Sequence, residues 1–167
     1  MKAKSFAGMR CSVAGALEMI GDRWTLLLLR DLGMGLSRFD EFQSSTGIAN
    51  TTLATRLRNL ERNGIIARTR YLERPPRDAY HLTDKGRDFW KVLAALREWG
   101  DRWDASGFGA PPIEVVDKDT DRKLRLALVD PQTGKAVGGD RIRYRPGPGA
   151  DDSVRALLQR AAVGGAS

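Results

Sequence analysis

The sequence predicts a mainly α chain with a β-wing, an α+β fold of the order α-α-α-α-β-β-α followed by a small β-rich tail. Two observations support this fold class. Apolar residues recur with helical periodicity through the first two thirds of the 167 residues, and the last third lacks that pattern. After the fourth helical segment, an alternating run meets the adjacent prolines Pro75 and Pro76, which is typical of a hairpin that turns there.

Two helices are expected before residue 33. Ser12 is a candidate N-cap for the first, whose apolar positions follow the i, i+3, i+4, i+7 pattern and are Val13, Ala16, Leu17 and Ile20. Asp22 can cap the second, which spans 24–32 and is apolar on nearly every side. A helix of that kind is typical of the centre of a core.

The third and fourth helices are short and joined by a glycine turn. The capping pattern Ser37–Asp40 begins the third helix. The fourth begins at Asn50 or Thr51 and ends at Asn63-Gly64, and its core face consists of Leu53, Leu57 and Leu60. Two short helices around a tight turn are typical of a helix-turn-helix, and the hairpin that follows makes it a winged helix-turn-helix.

The hairpin strands are expected at 65–71 and 79–82, and a long helix is expected from Thr83 to about Asp104. That helix carries an apolar seam with near-3.5 spacing, formed by Phe89, Val92, Leu96, Trp99 and Trp103. We interpret the seam as the interface of a homodimer. The alternative is that the tryptophans line a small-molecule pocket between helices, which would make an effector a further partner.

A change in composition after Gly107 divides the chain into a predicted domain at 1–107 and a small appendage at 108–167. Strands are expected at 113–116, 124–129 and 142–144, with a turn at 130–135 and a short helix at 151–162. The appendage has few apolar residues, so we expect it to extend the dimer contact or to cover an effector cavity. Its run of alternating aspartates, which lacks the glycine and glutamate of a calcium loop, is interpreted as a solvated turn; it comprises Asp117, Asp119 and Asp121.

Composition excludes several classes of protein. One cysteine and one histidine, His81, leave neither an intrachain disulfide nor a paired-cysteine or multi-histidine metal site. The longest apolar run, Leu26–Leu29, is far below the roughly 18 residues of a membrane span, and the basic start has no apolar stretch behind it. We therefore predict a cytoplasmic protein that uses no cofactor, no metal and no membrane.

The fourth helix carries the main candidate site. A 100° step per residue places a row of polar side chains opposite its core leucines, namely Asn50 at the tip, then Thr51, Thr55, Arg58 and Arg62. Short hydrogen-bonding groups can approach base edges, and guanidinium groups pair with guanine or phosphate. The alternative interpretation is a solvated helix face.

Charge favours the nucleic-acid interpretation. The chain carries 28 Lys and Arg against 21 Asp and Glu, a net charge of +7. Residues 49–77 hold seven arginines and two acids, so this stretch supplies +5 (7 − 2) of that charge. Every basic residue there is arginine, which suits bidentate phosphate and guanine contacts. Arg74 and Arg77 flank the proline pair, where they would lie beside a phosphate ribbon or reach a minor groove. We predict double-stranded DNA as the partner.

Several motifs in this order resemble the HxlR-type winged helix-turn-helix regulators. They are Ile20–Trp24, Arg38-Phe39, Gly47-Ile48, the leucines of the fourth helix, Gly64–Ile66, Pro75-Pro76, Leu82-Thr83 and Trp99-Gly100. The match covers more than half of the chain, about residues 11–104. The resemblance implies a dimeric bacterial transcription factor, not an enzyme, that binds a pseudo-palindromic operator. It also implies that the two protomers of the dimer are joined through their N-terminal helices and their long helices. This adds Val13 and Leu17 of the first helix to the predicted interface.

The same resemblance makes Cys11 a candidate redox sensor, since several family members respond to oxidants or electrophiles through a cysteine near the start of the first helix. The alternative is a thiol that merely packs.

Two other functions stay open: a winged helix that contacts proteins without specific DNA binding, and an enzyme whose site lies in the C-terminal region. Against the enzyme, that region has no cysteine, no histidine and no glycine-rich phosphate loop.

Overall fold

The computed structural model describes residues 5–164 and confirms the predicted α+β class with a β-wing. The elements are α1 Ser12–Ile20, α2 Arg23–Gly33, α3 Phe39–Thr46, α4 Asn50–Arg62, β1 Ile66–Leu72, β2 Arg77–Leu82, α5 Asp84–Asp88, α6 Trp90–Arg102, β3 Leu128–Val129, β4 Ala136–Val137, a 3₁₀ turn Gly139–Arg141 and α7 Asp152–Gly164. Packing groups them into two compact units, 19–126 and 5–18 with 127–164. Across residues 5–164, no helix combines the length and apolar character that crossing a membrane requires.

The core of the 19–126 unit is built around α2, as its apolar sequence predicts. Leu28 and Leu29 of α2 are buried against Phe42 of α3 and the leucine face of α4. Ile48, Ile65 and Ile66 close the same cluster from the turns and the start of β1. Because every element of the helix-turn-helix contributes to one core, α3 and α4 are held rigidly relative to each other.

Side chains and backbone groups cap these helices in partly unexpected ways. Asp22 Oδ1 accepts from the backbone N–H of Trp24 at 2.8 Å, which confirms the predicted cap of α2. At α3 the capping carboxylate is Glu41, not Asp40, and it accepts from the N–H of Ser37 and Arg38 at 2.8 Å each. The predicted caps of α1 and α4 are wrong, because Ser12 and Asn50 are already helical residues, and Ala49 occupies the N-cap of α4 without a side-chain bond.

The wing is an antiparallel hairpin of β1 and β2, with Ile66 opposite Leu82 and an irregularity between Arg70 and Leu72. Its base is tied to the start of α3. The backbone N–H of Tyr80 donates to the carbonyl of Ser37 at 2.7 Å, next to a bridge between Arg38 and Ala79. These backbone contacts therefore attach the wing to the helix-turn-helix, in addition to the chain connections at the two ends of the hairpin.

The predicted long helix is divided at Phe89 into α5 and α6. Thr83 caps α5 as expected, because its hydroxyl accepts from the N–H of Gly86 at 3.2 Å. Phe89 and Leu93 pack against the core, whereas the outer side of α6 carries the large exposed apolar residues Val92 and Trp99, followed by Trp103 at the C-cap. Trp90 and Leu96 of α6 are also exposed.

Regular structure between α6 and α7 is sparse. The predicted turn at 130–135 does connect two paired strands, but β3 and β4 have two residues each, and 113–116 contributes only an isolated bridge between Val116 and Lys123. The strand predicted at 142–144 is wrong: Ile142 and Tyr144 are exposed, and β pairing depends on a partner that their alternating pattern cannot specify. Residues up to 126 group with the winged helix, while the domain boundary at 107 stays a prediction.

Candidate nucleic-acid interface

α4 has two chemically distinct faces. Leu53, Leu57 and Leu60 are at most 1% exposed and form the inner face. On the opposite side lie the predicted site residues Asn50, Thr51, Arg58 and Arg62, all exposed, with Thr55 half-buried among them. Gly47 ends α3 in a left-handed conformation, φ 67°, which lets the chain turn sharply and present the polar face of α4 outward.

The side chains on this outer face are not equivalent. The Thr55 hydroxyl donates to the carbonyl of Thr51 at 2.8 Å, and its oxygen accepts from Arg58 Nη2 at 3.4 Å. Thr55 thus helps to orient the Arg58 guanidinium. Among residues 5–164, the side chains of Asn50 and Thr51 have no hydrogen-bond partner, which leaves their polar groups free for a ligand.

Three of the seven arginines counted between 49 and 77 are engaged by carboxylates. Arg56 forms an ion pair with Asp22, so it connects α4 to the cap of α2 instead of facing outward. Arg68 lies 3.4 Å from Asp78, and Arg70 lies 3.3 Å from the same carboxylate. The charge of these three groups is therefore largely compensated within the protein.

The four remaining arginines form the candidate interface, and we call them the free arginines. Within the described part of the chain none of them makes an ion pair; they are Arg58, Arg62, Arg74 and Arg77. Two lie on the outer face of α4 and two at the wing tip, and all four are exposed. Charged groups that are exposed and uncompensated attract a polyanion most strongly.

Arg38 is an additional exposed cation that the sequence pattern did not indicate. Its guanidinium lies over the ring of Tyr71, 4.9 Å from the centroid, at the edge of the wing. It makes no ion pair within residues 5–164. Residues 38 and 71 are far apart in the chain, so only the fold brings this cation to the side of the hairpin.

Tyr80 supports the wing from the inner side. Its ring lies 6.2 Å from that of Phe42, and burial raises the pKa of its phenol. The side chain is therefore neutral and structural. His81, at the neighbouring position of β2, is exposed and lies 3.0 Å from the Thr69 hydroxyl.

The residues assigned to the dimer interface are mostly exposed. Val13 and Leu17 of α1 are exposed, as are Val92, Leu96, Trp99 and Trp103 of the α6 region. Phe89 differs, because it packs against the core of its own unit. Cys11 is also exposed and its carbonyl accepts from the N–H of Gly15, so it occupies the N-cap position of α1 and does not behave as a thiol buried for packing.

A short helix, a glycine turn, a second helix with a polar outer face and a hairpin with a basic tip define the winged helix-turn-helix class of DNA-binding proteins. Residues 19–107 match the HxlR-like helix-turn-helix family. The chain belongs to that family.

Curated relatives and solved structures agree with this assignment. An uncharacterised HTH-type transcriptional regulator of Mycobacterium tuberculosis is 36% identical over 138 residues, 83% of this chain and 87% of its own length. The crystal structure of PA1607, a candidate transcription factor, aligns with a TM-score of 0.72 at 36% identity over 85% of this chain and 99% of that one. The redox regulator HypR in its oxidised form aligns at 0.52 and 34% identity over 55% of this chain and 96% of its own. The chain is accordingly a helix-turn-helix protein of the transcriptional-regulator class.

Proposed function

We propose that the protein is a homodimeric regulator that binds double-stranded DNA at a pseudo-palindromic operator. The observation that carries this proposal is the distribution of the free arginines, two on the outer face of α4 and two at the wing tip, around short polar groups without internal partners. α4 enters the major groove, and the wing lies along the flanking backbone.

The two kinds of side chain have different roles in this proposal. Asn50 and Thr51 reach base edges at the N-terminal tip of α4, and Arg58, oriented by Thr55, contacts a guanine. The other free arginines, Arg62, Arg74 and Arg77, contact phosphates and fix the register of the protein on the duplex.

A second copy of the chain is the occupant we assign to the outer face of α6. Trp99 and Trp103 are 61% and 67% exposed, and a contiguous apolar surface of this kind marks an interaction site. A two-fold axis uses the same face on both protomers and gives the assembly two α4 helices. Half-sites about one helical turn of DNA apart, roughly 34–36 Å, follow from that geometry.

The test is selection of bound fragments from a pool of random duplexes by the purified protein, followed by sequencing. An enriched inverted repeat supports the proposal. If the protein instead retains fragments without any sequence preference and with weak affinity, the alternative of a winged helix that contacts other proteins is favoured.

Redox regulation through Cys11 is a second candidate, which the exposure of its thiol favours. HypR, a structural neighbour, is a redox regulator by name. With hydrogen peroxide as oxidant, two Cys11 thiols from two protomers would lose two electrons and two protons to form one disulfide, and the peroxide would be reduced to water. We expect peroxide to change operator affinity of the wild type and to leave that of Cys11→Ser unchanged. Equal responses of the two proteins would exclude Cys11 as the sensor.

A further inference from the structure

A cavity of about 460 Å³ lies inside the 19–126 unit, on the side of α2 that faces away from the helix-turn-helix core. Its wall is almost entirely apolar. Leu26 and Leu27 of α2 form one side, and the apolar residues of α6 on the other side are Trp90, Leu93, Ala94 and Leu96. The volume falls in the range of sites that hold small organic molecules, roughly 300–1,000 Å³.

A third wall comes from the segment 112–115, which lies beyond the residues that match the family. This segment is held in place by several bonds. Arg97 donates to the carbonyl of Ile113 at 3.3 Å, and the N–H of Leu124 donates to the carbonyl of Val115 at 2.9 Å. Glu98 of α6 in turn accepts from the N–H of Leu126 at 2.9 Å. These hydrogen bonds fix the third wall against α6, so α2, α6 and the segment 112–115 line the cavity on three sides.

The charged residues that line this otherwise apolar cavity are Arg30, Arg97 and Asp101. Arg97 Nη1 pairs with Asp101 at 3.1 Å, whereas among the described residues its Nη2 has no hydrogen-bond partner and is not buried. Arg97 therefore has a donor that is accessible to a ligand with an acceptor group.

We propose that this cavity binds a small, largely apolar organic molecule that carries one acidic group, with the apolar part between α2 and α6 and the acidic group at Arg97. The regulatory effect of such a molecule rests on the proposed function. α2 lies at the centre of the DNA-reading core, and α6 carries the assigned dimer face. A molecule held between these helices therefore alters the distance between the two α4 helices of the dimer.

Binding is tested on the full-length protein without DNA, using two fluorescent probes that differ by one acidic group. The probes are 8-anilinonaphthalene-1-sulfonate and its neutral analogue N-phenyl-1-naphthylamine. We expect saturable binding of both, with the sulfonate the tighter. Arg97→Gln should weaken the sulfonate by about tenfold, the size of one lost charge-assisted hydrogen bond, and change the neutral probe little. Equal loss of both probes would overturn the assigned role of Arg97.

Two substitutions fill the cavity from opposite sides. Gly33 lines it, and a Cβ added there meets no atom within 4 Å, so Gly33→Phe introduces a ring without a backbone clash. Ala94 lines the cavity from α6, so Ala94→Phe places a ring in it from the opposite side. Each should reduce affinity for both probes by about tenfold or more, since a filled site cannot accept the ring system. Circular dichroism and the unfolding midpoint verify that each variant is folded.

Matched variants distinguish probe binding in the cavity from probe binding at other apolar surfaces. Phe108→Ala removes an exposed aromatic that does not line the cavity, and we expect probe affinity to stay at the wild-type value. Loss of binding in Trp99→Ala with retention in Gly33→Phe would place the probes on the outer face of α6 and overturn the proposal. Because these titrations contain no DNA, failure of operator binding and failure of the cavity proposal give different results.

Discussion

Arg56 and Arg58 lie two positions apart on α4, but one contacts the protein core and the other faces solvent. Arg56 is held by Asp22 at the N-terminus of α2, where its loss would loosen the contact between two core helices. Arg58 points outward, supported by the Thr55 hydroxyl, and makes no ion pair within residues 5–164. A guanidinium without an internal carboxylate can pair with a DNA base or phosphate without breaking an ion pair within the protein.

Arg58→Ala is expected to lower operator affinity by about 1–3 kcal/mol and to relax base preference at one position of each half-site. The measurement is fluorescence anisotropy with the selected operator and its single-base variants. Arg122→Ala, which removes an exposed arginine of the 113–126 region, is the charge-matched control and should leave base preference unchanged. An unaltered preference in Arg58→Ala would remove this residue from the base-reading set.

Arg74→Ala or Arg77→Ala should weaken binding evenly across sequences, because a phosphate contact carries no base information. The log–log slope of affinity against salt should decrease by about one unit per substituted arginine in each protomer. Titrations over a range of salt concentrations check both statements. Base-dependent losses would instead indicate insertion of the wing into a groove.

Glu41 is a pH-dependent element of the helix-turn-helix. The backbone N–H groups of Ser37 and Arg38 donate to its carboxylate, and these bonds hold its pKa below the ordinary value. The folded state therefore favours the ionised form, so the stabilisation is fully present above the unfolded pKa of about 4.3 and is lost as pH falls through the lower folded pKa.

Glu41→Gln should lower the thermal midpoint at neutral pH, and the difference from wild type should disappear in acid. Thermal melts between neutral and acidic pH measure this. Glu73→Gln, at an exposed wing position, serves as control and should show no comparable convergence. A difference between Glu41→Gln and wild type that is constant with pH would show that the charge of Glu41 does not contribute.

At the scale of elements, α5 depends on one glycine for its packing. Gly86 is buried, and an added Cβ would overlap the carbonyl oxygen of Ile65 and lie 3.0 Å from Leu82. That oxygen also accepts from the N–H of Thr83, the residue that caps α5. Close approach of α5 to the start of the wing is therefore possible only without a side chain at position 86.

Gly86→Ala is expected to destabilise the protein by about 1–3 kcal/mol, because backbone atoms would have to move. Gly100→Ala on α6 is the matched control: a Cβ there meets no atom within 4 Å. An alanine in that helix should stabilise the protein by about 0.5–1 kcal/mol. Denaturant unfolding compares the two variants. Equal effects would mean that the approach of α5 does not require glycine.

Elements with strong local signals could be predicted from the sequence, and elements that depend on distant partners could not. The two faces of α4 follow from a 100° step, and the cap of α2 follows from Asp22 preceding an apolar run. By contrast, nothing local distinguishes Arg56, Arg68 and Arg70 from the free arginines, since their carboxylate partners are set by the fold. The same limit explains the strand wrongly expected at 142–144 and the missed stacking of Arg38 on Tyr71.

For the whole molecule, assembly decides whether two α4 helices can read one operator. Trp99→Asp places a charge in the apolar outer face of α6, and burying it in an interface is strongly unfavourable. We expect a halved mass by light scattering and a large loss of operator affinity. Phe108→Asp, which changes a still more exposed aromatic outside α6, should leave the mass unchanged. A dimeric Trp99→Asp variant would exclude this face as the interface.

The division of α4 into an apolar inner face and a polar outer face has a consequence for how such a protein can diversify. Leu53, Leu57 and Leu60 are almost completely buried, while Asn50, Thr51 and Arg58 stand clear of the core. Substitutions at the outer positions therefore leave folding nearly untouched, since exposed substitutions away from buried contacts change stability by about 0.5 kcal/mol or less. A library randomised only at 50, 51 and 58 should yield mostly folded proteins with many different operator preferences, so new targets are reachable in single steps without passing through unstable intermediates.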